Sequence, residues 1–266
     1  MNTTRPLAVV TGASSGIGYE LARELATRGH DLIVTAEDAA IDEVPGRLER
    51  LGAQATAVRA DMRRADEVDR FAKQVVAAGR PIDVLAVNAG VGISGDFVDG
   101  TALADQLAVV DVNVRATVHL AKLLLPQMKD RGRGRVLFTS SIAAATPGPF
   151  QAVYHGSKAF VQQFAQGLRE ELKSTGVTVT AVQPGPTDTR FFERADMTDT
   201  KLGAGAKDPA SEVAKEAVDA LFAGKDHVVT GSMRNKVMNV AGRVLPDRLV
   251  TALQRKASAP GTASNA

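Results

Sequence analysis

The sequence predicts an α/β protein: one domain with a doubly wound parallel sheet of about seven strands and helices on both faces. Three observations predict it. Short apolar runs recur along the chain, helix-like stretches separate them, and a glycine-rich turn follows the first run directly.

The strand candidates are Leu7–Val10, Leu32–Ala36, Ala55–Val58, Ile82–Val87, Val136–Phe138, Val177–Val182 and His227–Thr230. Several are continuously apolar rather than alternating, as strands buried on both faces are. Between them the spacing predicts helices over Ile17–Arg28, Val44–Leu51, Ala65–Ala78, Ala102–Lys129, Ala152–Ser174 and Ser211–Phe222. Gly29, Gly52, Gly79 and Gly176 fall where helices need a left-handed C-terminal residue. Asp208-Pro209 reads as an N-cap with proline at the first helical position. No linker divides the chain, so one domain over residues 1–256 is expected, with 257–266 as a disordered tail.

Composition excludes several functions. The 266 residues include no Cys, so there is no thiolate chemistry, disulfide framework or cysteine metal site. With 32 Lys+Arg against 30 Asp+Glu, no electrostatic reason points to nucleic acid. The four His make no metal-ligand spacing. The apolar run near the N-terminus is too short for a signal peptide, and no run is long enough to span a membrane. A cytoplasmic protein is the expectation.

The glycine turn is Thr11-Gly12-Ala13-Ser14-Ser15-Gly16-Ile17-Gly18. Glycines let backbone N–H groups approach a pyrophosphate, and the helix that follows adds its positive end. Glu37 and Asp38 lie 19 and 20 residues after Gly18, about where an acid meets the adenosine ribose. No Lys or Arg follows in sequence before Arg47, so the local charge leans toward NAD over NADP; the other reading is a pair of solvated loop acids.

Tyr154 and Lys158 are four residues apart in a helical stretch and share a face. A phenol is a poor proton donor or acceptor at neutral pH unless a neighbouring ammonium stabilises its anion. The strand ending in Thr139-Ser140-Ser141 points to the sheet edge where the glycine turn lies.

Seven motifs stand in one order: TGASSGIG at 11–18, RAD-Met at 59–62, NAG at 88–90, DVN at 111–113, SS at 140–141, YHGSK at 154–158 and PG followed by Thr at 184–187. In these, over roughly residues 5 to 245, the chain resembles the short-chain dehydrogenase/reductase family. The resemblance implies a Rossmann-type fold and NAD(P)-dependent oxidoreduction of a secondary alcohol or ketone, with a 3-oxoacyl thioester reductase using NADPH as the main rival. It further implies that Ser141 holds the substrate oxygen, Tyr154 exchanges its proton, and Lys158 holds the nicotinamide ribose and lowers the phenol pKa. Asn113, in a kinked helix, would position a relay water. Gly12, Ser14, Ser15, Gly16, Ile17 and Gly18 would cradle the pyrophosphate, with Glu37 at the ribose. Asp61 and Met62 would contact adenine; Asn88, Ala89 and Gly90 would run beside the cofactor; Pro184, Gly185, Thr187 and Thr189 would bound the nicotinamide. Asn88 also suits a purely structural anchor, and Thr187 a helix cap. The position where an NAD-selecting acid is usual holds Ala36. A non-catalytic regulator would need a damaged catalytic set, and here all four residues are present.

The segment 191–207, with Phe191, Phe192, Met197 and Leu202, is expected to cover the substrate, hinged at Gly203 and Gly205. Val91, Ile142, Phe150 and Val153 are candidates for an apolar wall. His155 is expected to be structural. A homodimer or homotetramer through the helices at 102–129 and 152–174 is implied, and 244–256 has residues suited to a neighbour's surface.

Overall fold

A computed structural model describes residues 5–233, 235–237 and 246–263. Seven parallel strands form one sheet: β1 (Leu7–Thr11), β2 (Asp31–Ala36), β3 (Ala55–Arg59), β4 (Ile82–Val87), β5 (Gly134–Thr139), β6 (Val177–Pro184) and, at its edge, β9 (His227–Thr230). Their order is β3-β2-β1-β4-β5-β6-β9. All seven predicted strands are present, within two residues at each end. β1 and β2 are buried at every position, which is why they read as unbroken apolar runs.

One face carries α1 (Gly16–Thr27), α2 (Val44–Glu49) and α9 (Ala210–Phe222), which bury Leu21, Leu25, Leu48, Val218 and Leu221. The other carries α3 (Ala65–Ala77), α5 (Ala116–Asp130) and α6 (Ala152–Leu172), with Phe71, Leu120, Leu124 and Val161 against the sheet. The four C-terminal glycines take φ of +88, +80, +64 and +75 at Gly29, Gly52, Gly79 and Gly176.

The strand order reverses between β1 and β4. Their C-terminal ends therefore lead apart and leave a crevice, the place where an open α/β sheet binds its ligand.

Three segments differ from the sequence reading. The helix expected over 102–129 is α4 (Leu103–Val110), a π-helical turn Asp111–Arg115, and then α5. Asp208 does not cap α9: it pairs with Thr187 in a two-stranded ribbon, β7 (Thr187–Asp188) with β8 (Asp208–Pro209), and Pro209 is the N-cap. The Asp208 carboxylate instead accepts from Asn235 Nδ2 at 2.6 Å and Ser232 N at 3.2 Å.

The third is the C-terminal region. Of the stretch 244–256, residues 244 and 245 lie outside the described residues. The rest forms α10 (Asp247–Ser258), which packs on α8 (Lys201–Ala204) of the same chain. Where a disordered tail was expected, Gly261 N–H donates to Asp199 Oδ2 and Ala263 N–H to Asp199 O, both at 2.8 Å. Residues 264–266 lie outside the described residues.

Candidate active site

The glycine turn fills the crevice between β1 and β4. Gly12 and Gly16 take φ of +68 and +56, a region that costs L-residues with a side chain. α1 starts at Gly16, so its first N–H groups have no partner inside the helix and face the groove. The turn is anchored from below. The Thr11 hydroxyl accepts from Asn88 N at 2.9 Å and Ala89 N at 3.0 Å, and Asn88 Nδ2 donates to Thr11 O at 3.0 Å. Thr139 Oγ1 donates to Asn88 Oδ1 at 3.0 Å. One carboxamide thus ties together the ends of β1, β4 and β5, while Asn88, Ala89 and Gly90 also line the groove.

Ser141 N-caps a short 3₁₀ turn, Ile142–Ala145, by accepting from Ala143 N at 3.1 Å. Its hydroxyl reaches Pro184 O at 3.4 Å and is hydrogen-bonded to Tyr154. Lys158 is 4% exposed and donates to Thr139 O at 3.0 Å; Ser140 holds its backbone carbonyl at 2.9 Å. Gly90 makes room for the ammonium, since a Cβ there would lie 2.9 Å from Lys158 Nζ. Asn113 Nδ2 donates to Ser157 Oγ and to Val91 O, and Oδ1 accepts from Val91 N, each at 2.9 Å. The π turn aims it there, and Thr117 Oγ1 satisfies the Asn113 carbonyl at 2.8 Å.

Ser141, Tyr154 and Lys158 all line one groove of about 260 Å³, and Asn113 stands behind it. Their proton affinities differ from the sequence expectation. Burial pushes the Tyr154 phenol up to about 12, against the opposing hydrogen bond from Ser141. Burial pushes the Lys158 ammonium down to about 8. The lysine Nζ stands 5.9 Å from the Tyr154 ring centroid, so desolvation outweighs the expected depression of the phenol.

Of the residues expected to cradle a cofactor, all but Asp61 line the groove. The Asp61 carboxylate turns instead to Arg63, accepting from its Nε at 2.9 Å, while Met62 lines the groove at 6% exposure. Arginines also reach the two acids after β2. Glu37 pairs with Arg63 at 3.2 Å. Asp38 Oδ2 accepts from Ser14 Oγ at 2.9 Å and from Arg194 at 3.1 Å. Burial opposes the Asp38 charge, but these bonds outweigh it and hold the carboxyl below its ordinary pKa. The isolated negative charge inferred from sequence is therefore neutralised in space, and the electrostatic lean toward NAD loses its basis.

On the opposite side lies the lid segment, with α7 (Phe191–Arg194) and α8. Phe191, Phe192, Met197 and Leu202 line the groove, and the Phe191 ring centroid is 5.2 Å from that of Tyr154. Thr187 Oγ1 donates to Gly185 O at 2.9 Å, and Gly185 has no room for a side chain beside Asn235. The expected hinges are otherwise placed. A Cβ on Gly203 would lie 1.9 Å from Met197 O, so that glycine serves close packing, and Gly205 has ordinary φ of −69. Val91 and Ile142 line the groove, but Phe150 and Val153 do not; the Arg255 guanidinium lies over the Phe150 ring, 5.4 Å from the ring centroid. His155 has a structural bond, Nδ1 to Thr146 O at 2.8 Å, and also reaches the wall.

Sequence reasoning missed Gln151, Arg190, Arg194 and Gln254 on the groove wall. Gln254 comes from α10 and donates to Thr146 Oγ1 at 3.2 Å. Only the i, i+4 spacing of the two arginines gave a local signal that they share a face.

The residues present fit a dinucleotide: a glycine-rich cradle at a helix N-terminus leads to a half-buried phenol and a buried ammonium. A fold of this class with that groove at its switch point is that of a nucleotide-binding protein. A family model described as short chain dehydrogenase matches residues 6–199. Ketoacyl reductase HetN of a Nostoc species is 30% identical over 254 residues, 91% of this chain and 86% of that protein. A 3-oxoacyl-[acyl-carrier-protein] reductase of a Synechocystis species is 36% identical over 202 residues, 74% of this chain and 77% of that one. Among solved structures, a short-chain dehydrogenase from Sphingobium yanoikuyae in complex with NADPH superposes with a TM-score of 0.78 at 29% identity, covering 84% of this chain and 87% of that one. An alcohol dehydrogenase from Thermococcus sibiricus complexed with 5-hydroxy-NADP gives 0.73 at 25% identity, covering 84% and 95%. The chain belongs to the short-chain dehydrogenase family. No helix among its described residues is long and apolar enough to cross a membrane.

Proposed function

We propose that the protein is an NAD(P)-dependent oxidoreductase that interconverts a secondary alcohol and its ketone. The observation that carries this is the convergence of Ser141, Tyr154 and Lys158 on one wall of a groove whose far end is the glycine cradle. The bound nicotinamide supplies or accepts the hydride. Ser141 holds the substrate oxygen, and Tyr154 donates a proton to it in reduction and accepts one in oxidation. With burial holding the phenol at about 12, the proton that reduction needs is in place at neutral pH. Lys158 anchors the nicotinamide ribose, and Asn113 fixes the Val91 backbone beside it. The cofactor is NAD or NADP, with no preference for NAD argued from Glu37 and Asp38, since each is paired with an arginine.

A second reading, reduction of a 3-oxoacyl thioester, is favoured by the two relatives named for ketoacyl and 3-oxoacyl reduction. The chain also presents Leu103, Leu107 and Val110 along α4 as an exposed apolar stripe, with Phe160 exposed on neighbouring α6, which supports a homo-oligomer.

The deciding experiment offers the purified chain NADH and NADPH with a panel of ketones and a 3-oxoacyl thioester, followed at the nicotinamide absorbance. Turnover of simple ketones supports the first reading, and turnover of the thioester alone supports the second. No turnover with either cofactor, nor of the matching alcohols with NAD+ or NADP+, overturns both.

A further inference from the structure

Arg194 and Asp38 are far apart in sequence and meet across the mouth of the groove. The acid follows β2, and the arginine ends the short helix α7 of the lid segment. Arg194 donates to Asp38 Oδ2 at 3.1 Å, and the Arg190 guanidinium stands 4.0 Å from the same oxygen. Ser14, Asp38, Arg190 and Arg194 all line the groove, so the bridge joins the lid segment to the glycine turn at the groove's edge. The same segment closes down at two further points. A Cβ on Gly16 would lie 2.8 Å from Thr189 Cγ2, and a Cβ on Gly92 would lie 2.7 Å from the Phe191 ring.

We propose that the Arg194–Asp38 bond is a latch. It holds the lid segment over the adenosine end of the groove and opens whenever a dinucleotide enters or leaves. The proposal rests on reading the groove as a dinucleotide site.

The two partners are unequal. The Asp38 carboxylate is fixed to the body of the protein, with Ser14 Oγ on one oxygen at 2.9 Å and Ala40 N on the other at 3.1 Å. The Arg194 side chain is 45% exposed, on a helix of four residues. Arginine is therefore the moving half. A half-exposed pair is weak and easily exchanged with water. That is what a latch needs if it opens once per turnover; a buried pair at this position would trap the cofactor.

The test follows release of NADH and of NADPH from the full chain by stopped-flow nicotinamide fluorescence. Arg194→Gln and Asp38→Asn are each expected to release both dinucleotides about 2- to 5-fold faster. The double variant is expected to be no faster than either single one, because both break the same bond. Added salt is expected to speed release from the parent chain and not from the variants. Unchanged release in both single variants overturns the latch, and so does additivity in the double variant. An effect of Arg194→Gln on NADPH alone also overturns it, since the guanidinium would then be a ligand of the 2′-phosphate. If the parent chain binds neither dinucleotide, the reading of the groove falls and the latch with it.

Discussion

A Cβ on Gly18 would lie 2.0 Å from the carbonyl oxygen of Gly12. The third glycine of the turn is thus fixed by backbone packing against the first. Neither atom is the end of a flexible side chain, so neither can yield cheaply. Gly18→Ala is expected to destabilise the fold by about 3 kcal/mol, the upper end for overpacking, and to abolish dinucleotide binding. Urea denaturation and fluorescence titration with NADPH check both parts.

Tyr154→Phe removes the only hydroxyl proposed to exchange a proton with substrate. Turnover is expected to fall by at least about 100-fold, with dinucleotide affinity changed little, because the ring remains. Steady-state rates beside a binding titration separate the two.

Lys158 links stability to pH. Its pKa is about 8 when folded, against 10.5 as the ordinary value, so between those pH values the unfolded chain holds more protons. The stability that the parent chain loses to its buried cation is therefore lost in full below pH 8 and recovered as pH rises to 10.5. The Lys158→Met variant carries no such penalty. Its stability relative to the parent is expected to decline over that window by on the order of 3 kcal/mol. Urea midpoints for both proteins at several pH values give the difference, in which other titrating groups cancel.

The stripe on α4 has a direct check. Leu107 is 50% exposed, and Leu107→Glu puts a charge in the middle of the proposed interface. Light scattering is expected to show a smaller assembly than that of the parent chain.

The sheet was legible because its strands are buried on both faces and leave unbroken apolar runs. The glycine turn and the Tyr154–Lys158 pair were legible because each is local in sequence. What escaped was non-local. The resemblance implied a kinked helix at Asn113, but not the grip of its amide on Val91, 22 residues away, beside the π turn at 111–115. Arg63 meets Glu37, and Arg194 meets Asp38, only after the chain has folded. Counting charges along the sequence therefore misjudged the ribose corner. The phenol's proton affinity escaped for a related reason: the sequence names the neighbouring lysine, but burial is a property of the fold.

The family match ends at residue 199, whereas Leu202 and Gln254 on the groove wall come after it. Ser141, Tyr154 and Lys158 lie inside the matched stretch, and part of the groove wall lies beyond it. Substitutions at Leu202 and Gln254 therefore reshape the groove without touching Ser141, Tyr154 or Lys158.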